Sequence, residues 1–126
     1  MISSSMQSIS PFFPHERLRE GQDVLVQDIE NTLKTGKILL AQAPTGLGKT
    51  ASVLSVVVPY ALTEKKRVFF LTNRHTQHQI AVTTLKSMEE KTGKRFATAD
   101  LIGKRWMCSQ EIAGLFGPDF NEFCKA

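Results

Sequence analysis

The chain has 126 residues, 41% hydrophobic and 22% charged, with eight Gly and five Pro. Those values exclude a disordered or collagen-like polypeptide and fit one small globular domain. The net charge is +4, and the basic excess lies wholly in residues 61–126, which leaves open both a polyanionic partner and an ordinary solvated surface. The longest apolar run, residues 53–62, is broken by Ser55 and Pro59 and falls short of the ~18–20 residues of a membrane span. Residues 1–11 lack the basic and apolar parts of a secretory signal and are expected to be a Ser-rich flexible tail. Two cysteines, Cys108 and Cys124, exclude a disulfide-dense secreted scaffold. The expected location is cytoplasmic or nuclear/nucleoid, with no membrane partner.

Leu18, Leu25, Ile29 and Leu33 recur at helical spacing, and Gly36 follows as a stop, so residues 18–35 are predicted helical. Residues 38–41 (Ile-Leu-Leu-Ala) form a short apolar run that predicts a strand buried on both faces. A second helix is expected over 49–62, kinked or ended near Val58 by Pro59. After the surface turn Lys65-Lys66-Arg67, residues 68–71 predict a second buried strand. Ile80, Thr84, Leu85 and Met88 place a third helix at 74–91, with Gly93 beyond its end. Weaker signals suggest a third short strand at 98–102 and a short helix at 111–116 before Gly117-Pro118. Helices alternating with apolar strands imply an α/β fold with a parallel sheet and right-handed crossovers.

Ala43-Pro44-Thr45-Gly46-Leu47-Gly48-Lys49-Thr50 joins the first predicted strand to the second predicted helix. Gly46 and Gly48 let the backbone curl so that successive N–H groups converge on phosphate oxygens. The following helix adds its N-terminal dipole and unpaired donors. Lys49 would reach the terminal phosphates and the Thr50 hydroxyl would ligate Mg²⁺. The other reading is a glycine-containing turn with an incidental Lys-Thr.

The variant A-x-x-G-x-G-K-T is motif I of superfamily 2 helicases, and residues 43–50 match it at every fixed position. The wording APTGLGKT resembles the Rad3/XPD branch, the iron–sulfur DNA helicases that include bacterial DinG-like proteins. Phe13-Pro14 followed by Arg19 and Gln22 looks like that group's opening motif. Leu71-Thr72-Asn73-Arg74-His75 is similar to motif Ia, which touches single-stranded DNA. Residues 103–108, ending in Cys108, look like the lead-in to the first cluster cysteine. Gln42 departs from the group, which more often has an acid there.

The resemblance implies a partial RecA-like P-loop NTPase sheet: an incomplete first motor domain over residues 12–102, then the start of an iron–sulfur domain over 103–126. It implies an ATP-hydrolysing DNA helicase of the DNA-repair kind. ATP would lie on Arg19, Gln22, Thr45, Gly46, Leu47, Gly48, Lys49 and Thr50, with Lys49 and Thr50 catalytic and Mg²⁺ on Thr50. Single-stranded DNA would lie on Thr72, Asn73, Arg74 and His75, and a 4Fe-4S cluster on Cys108, Cys124 and further ligands of the remaining helicase polypeptide.

Each motif also has a plainer reading. Gln22 has an amide suited to an adenine edge and Arg19 can stack or pair with phosphate, yet both could be exposed helix residues. Thr72 or Asn73 could merely cap a helix. The cysteines could be buried thiols, or zinc ligands together with His75 and His78, although the His-x-x-His spacing suits zinc poorly. Asp100 and Asp119 are the only later acids in a position to serve Mg²⁺, and neither ends a strong apolar run. The chain is therefore expected to bind nucleotide weakly and to be inactive alone, as a fragment with the metal-binding acid and second motor domain missing. The alternatives are a nucleotide- or DNA-binding fragment without catalysis, and another P-loop NTPase.

Overall fold

The computed structural model describes residues 10–125, without the side chain of His75. Most of the expected tail, residues 1–9, and the final Ala126 lie outside the described residues. The elements are α1 (Gln22–Thr35), α2 (Lys49–Thr63), α3 (His75–Thr92), α4 (Lys104–Met107), a 3₁₀ turn (Glu111–Gly114) and α5 (Gly117–Phe123).

Helix α1 starts four residues later than its apolar spacing predicts. Gly21 is left-handed, with φ 82°, and breaks the helical path between Leu18 and Gln22. The helix ends as expected at Gly36, whose N–H returns to the Thr32 carbonyl. Leu25 and Ile29 stack at i, i+4 and bury against Val56, with Val26, Leu33, Val53 and Val57 around them. The opposite face of α2 carries Leu54 and Val58 into a second cluster with Phe12, Ala81 and Met88. Helix α2 is apolar on two faces because it lies between α1 and α3.

Pro59 neither ends nor interrupts α2, which runs on to Thr63. A proline removes the N–H that would serve the carbonyl four residues back, here that of Ser55. The Ser10 hydroxyl donates to that carbonyl at 3.4 Å, and Ala61 beyond the proline is buried. Tertiary contact thus overrides the local signal. In α3 the inward face is Ala81, Leu85 and Met88 at i, i+4, i+7. Ile80, expected inside, is 53% exposed, and Thr84 bonds back to its carbonyl. The segment before α1 is strapped to α3, since Lys91 Nζ donates to the carbonyls of Phe13 and His15 at 2.8 and 3.1 Å.

The parallel sheet does not form. Among the described residues there is no strand, so the predicted α/β, RecA-like core is corrected to a layer of three helices. Residues 38–41, 68–71 and 98–102 have no regular structure and share no backbone hydrogen bond with one another. Ile38 and Leu40 are 97% and 98% exposed, and Phe69 and Leu71 are nearly as open. The physical reason lies in the strand itself. A helix closes its hydrogen bonds within one segment, whereas an apolar run becomes a strand only against a second segment. Apolarity alone therefore predicts the wish to be buried and not its fulfilment.

The C-terminal part differs from expectation in detail. The helix predicted at 111–116 is a single 3₁₀ turn, and Gly117-Pro118 opens α5 instead of following a helix end. Proline at the first helical positions has no intrahelical N–H to lose. Phe120 on α5 is buried, and Arg105 Nε holds the 3₁₀ turn through the Ala113 carbonyl at 2.8 Å.

Candidate functional site

The loop 43–48 leads directly into α2. Gly46 and Gly48 both take left-handed φ values, 86° and 85°, a conformation that costs other residues about 1–2 kcal/mol. At Gly46 a Cβ would enter open space, so only the dihedral demands glycine there. At Gly48 a Cβ would also collide with the Gln22 amide. Gly48 is the N-cap of α2 and offers no side chain, so the first-turn N–H groups of Lys49 and Thr50 lack a side-chain cap.

Two residues ahead of the loop in sequence hold it from behind. Gln22 is buried to 1% exposure. Its Oε1 accepts the Arg19 backbone N–H at 2.7 Å, and its Nε2 donates to the Leu47 carbonyl at 2.7 Å. The Arg19 guanidinium donates to the Gly46 carbonyl at 2.6 Å. From the other side, Lys49 Nζ donates to the carbonyls of Ala43 and Pro44, each at 2.8 Å. The structure therefore gathers Arg19, Gln22, Gly46, Leu47, Gly48 and Lys49 around one turn. Thr45 is exposed in the loop and Thr50 half-buried in the first turn of α2.

The donor set has one sign. An ammonium and a guanidinium lie on the loop beside the uncapped first turn of α2, and residues 31–63 contain no Asp or Glu. Such a donor set suits a polyphosphate, and a threonine hydroxyl in the first turn suits Mg²⁺ beside it. Substituting Gly48 by Ala should combine dihedral strain with displacement of Gln22. We expect Gly48→Ala to cost roughly 1–3 kcal/mol in urea denaturation, and Gly46→Ala to cost less because nothing opposes its methyl.

The other predicted residues are more dispersed. Thr72 Oγ1 accepts the Arg74 N–H at 3.3 Å and donates to Gln77 Oε1 at 2.7 Å, so it does act locally at the start of α3. Asn73 and Arg74 are exposed, and the His75 side chain lies outside the described residues. Asp100 is engaged by His78 Nδ1 at 3.2 Å, tying α3 to the 94–103 segment. Sequence reading missed that pair because nothing local links positions 22 residues apart. Cys108 and Cys124 are free, half-buried thiols. Among the described residues no three His, Cys, Asp or Glu side chains assemble for a metal. Two thiols do not fit a 4Fe-4S cluster, which takes four, and among the described residues the other zinc candidates, His78, Cys108 and Cys124, do not assemble either.

The family described as "Type III restriction enzyme, res subunit" (ResIII) matches the chain over residues 15–111. The chain belongs to the ResIII family. ResIII marks a superfamily 2 helicase-type, nucleotide-binding domain, and domains of this type generally use ATP and Mg²⁺. The ResIII match includes Arg19, Gln22, the whole glycine loop and Asp100, and it does not single out the Rad3/XPD branch or an iron–sulfur centre. No curated protein and no solved structure matches the chain. No helix among the described residues is long and apolar enough to cross a membrane.

Proposed function

We propose that this ResIII chain is the nucleotide-binding part of an ATP-dependent DNA helicase, of the Rad3/XPD type that the wording of residues 43–50 resembles. The observation that carries the reading is the convergence of Arg19, Gln22 and Lys49 on a left-handed glycine loop ahead of an uncapped helix. Lys49 and the amides of residues 46–50 would hold the triphosphate, and the Thr50 hydroxyl would face Mg²⁺. Mg-ATP, when bound, supplies the phosphoanhydride whose hydrolysis powers a motor. The chain's own contribution is to bind and orient: a fixed turn, a positive charge already at the loop, and a first helical turn open to an anion.

Thr72, Asn73, Arg74 and His75 would contact the single-stranded DNA backbone, with exposed Arg74 as the charged member. Arg74→Ala is expected to weaken binding to an oligothymidylate and to reduce the steepness of its salt dependence. Of the two later acids considered for Mg²⁺, Asp100 is engaged by His78, and Asp119 lies in the first turn of α5. This chain should therefore bind MgATP without turning it over. The test is ATP binding and turnover measured with and without single-stranded DNA. Mg²⁺-dependent binding of ATP supports the reading, and DNA-stimulated turnover would assign a catalytic acid as well. A chain that retains no nucleotide under any of these conditions overturns it.

A second reading, a nucleotide-binding module of another P-loop enzyme, is favoured if ATP binds and single-stranded DNA does not.

A further inference from the structure

Between the helical core and the glycine loop the chain passes through residues 14–18, and little holds this stretch in place. Pro14 has no N–H to give. Among the described residues the backbone of 14–18 makes one hydrogen bond, in which the His15 carbonyl accepts from Lys91. Phe13, 1% exposed, anchors one end of the stretch in the core. At the other end the Arg19 guanidinium donates to the Gly46 carbonyl at 2.6 Å. A segment so sparsely bonded is of the kind that opens locally while the rest of a domain stays folded.

Lys91 holds the stretch from α3. Its ammonium donates to the Phe13 carbonyl at 2.8 Å and to the His15 carbonyl at 3.1 Å, 78 and 76 residues back in the chain. The two acceptors flank Pro14, so one side chain fixes the direction in which the backbone leaves the core. Both bonds have a charged donor, the stronger sort, and the cation sits in the last turn of α3, where the helix dipole favours it. Among the described residues no carboxylate pairs with Lys91, so no ion pair draws it off the two carbonyls. Three residues on, the Lys94 ammonium stands 5.4 Å from the centre of the Phe12 ring. Phe12 itself lies in the cluster with Leu54, Val58, Ala81 and Met88.

We propose that Lys91 is a positioning residue for the nucleotide site, acting through the segment 13–19 that carries Arg19 to the glycine loop. The inference rests on the nucleotide-binding reading above. Lys91 bonds to the carbonyls of Phe13 and His15 and not to the loop, so its effect on a bound nucleotide passes through Arg19. Binding groups keep their geometry only when a supporting layer holds them, and a loosened support weakens a site without unfolding the chain.

The probe is a fluorescent ATP analogue with Mg²⁺, titrated on the intact chain. Lys91→Met removes the donors and keeps the apolar stem, and should weaken binding about fivefold, within the range seen for residues joined in one network. Lys91→Arg keeps a charged donor group and should recover most of that loss. Arg19→Ala should weaken binding at least as much as Lys91→Met. The double variant should bind as Arg19→Ala alone does, because without the guanidinium Lys91 has nothing left to position. A residue that merely stabilised the fold would show no such dependence on Arg19. If Lys91→Met does not fold, by far-ultraviolet circular dichroism, Lys91→Arg and Lys91→Gln carry the test in both backgrounds. The shorter, uncharged amide should bind nucleotide more weakly than the arginine variant, and the difference should vanish with Arg19→Ala.

Unchanged affinity in a folded Lys91→Met variant overturns the proposal, as do equal affinities of the Arg and Gln variants. Losses that multiply in the double variant overturn it too, since Lys91 would then support the site by some route other than Arg19. An Arg19→Ala variant that binds normally has the same consequence. If Lys49→Ala weakens binding while the Lys91 variants bind normally, this inference alone falls. If the unmutated chain does not bind the probe, or if Lys49→Ala changes nothing, the nucleotide reading falls and takes the inference with it.

Discussion

Lys49→Ala should lower the affinity for MgATP by about two orders of magnitude, the loss of a charge-assisted contact worth roughly 1.5–3 kcal/mol. The side chain is exposed, and its ammonium lies on the loop, bonded to the carbonyls of Ala43 and Pro44. Those acceptors are neutral, so the charge is held without being cancelled. No carboxylate in residues 31–63 competes for it. A triphosphate offers the ammonium a charged acceptor in place of two neutral ones, which is the stronger bond. Lys49→Arg should recover only part of the affinity, because a planar fork cannot bond both carbonyls and phosphate as a compact ammonium does. Global stability should change little, within about 0.5 kcal/mol, as for most exposed substitutions. Calorimetric titration with MgATP checks the first effect and urea denaturation the second. An Ala variant that binds as tightly as the unmutated chain would leave the loop without its principal anion contact and remove the basis for a nucleotide site.

The loop was legible in the sequence because everything it needs is local. Gly46 and Gly48 encode their own left-handed φ, and Lys49 and Thr50 follow within one turn. The ends of α1 and α3 were legible for the same reason, each stopped by a glycine whose N–H returns to the preceding turn. What failed depended on partners distant in sequence. Residues 38–41 and 68–71 have strand composition and no strand, since a ladder needs a second segment that composition does not supply. Pro59 has helix-ending chemistry and sits in a continuing helix, with the freed Ser55 carbonyl taken by a hydroxyl 45 residues away. Gln22 falls between the two cases. Its amide marked it as a site residue, but the direction in which that amide points is set by the fold of residues 19–22 against the loop, and it points at backbone.

Two leucines separate the helical layer from the predicted sheet as the source of stability. Leu54 is 2% exposed and contacts the cluster of Phe12, Val58, Ala81 and Met88, whereas Leu40 is 98% exposed. Leu54→Ala should destabilise the chain by about 2–5 kcal/mol, transfer loss plus residual cavity, against a total of only about 5–15 kcal/mol for a domain. Because α2 is packed on both sides and its first turn forms part of the loop site, that loss should also loosen the site itself. Leu40→Ser should leave stability within about 0.5 kcal/mol. Its effect should appear in self-association, since Ile38, Leu40, Phe69 and Leu71 give the surface exposed apolar side chains that favour contact between copies. Urea denaturation followed by circular dichroism reads the first difference, and sedimentation of the two variants reads the second. Were residues 38–41 a strand buried on both faces, Leu40→Ser would be the severe substitution. A large loss there, with Leu54→Ala silent, would place the core on the extended segments and not between α1, α2 and α3.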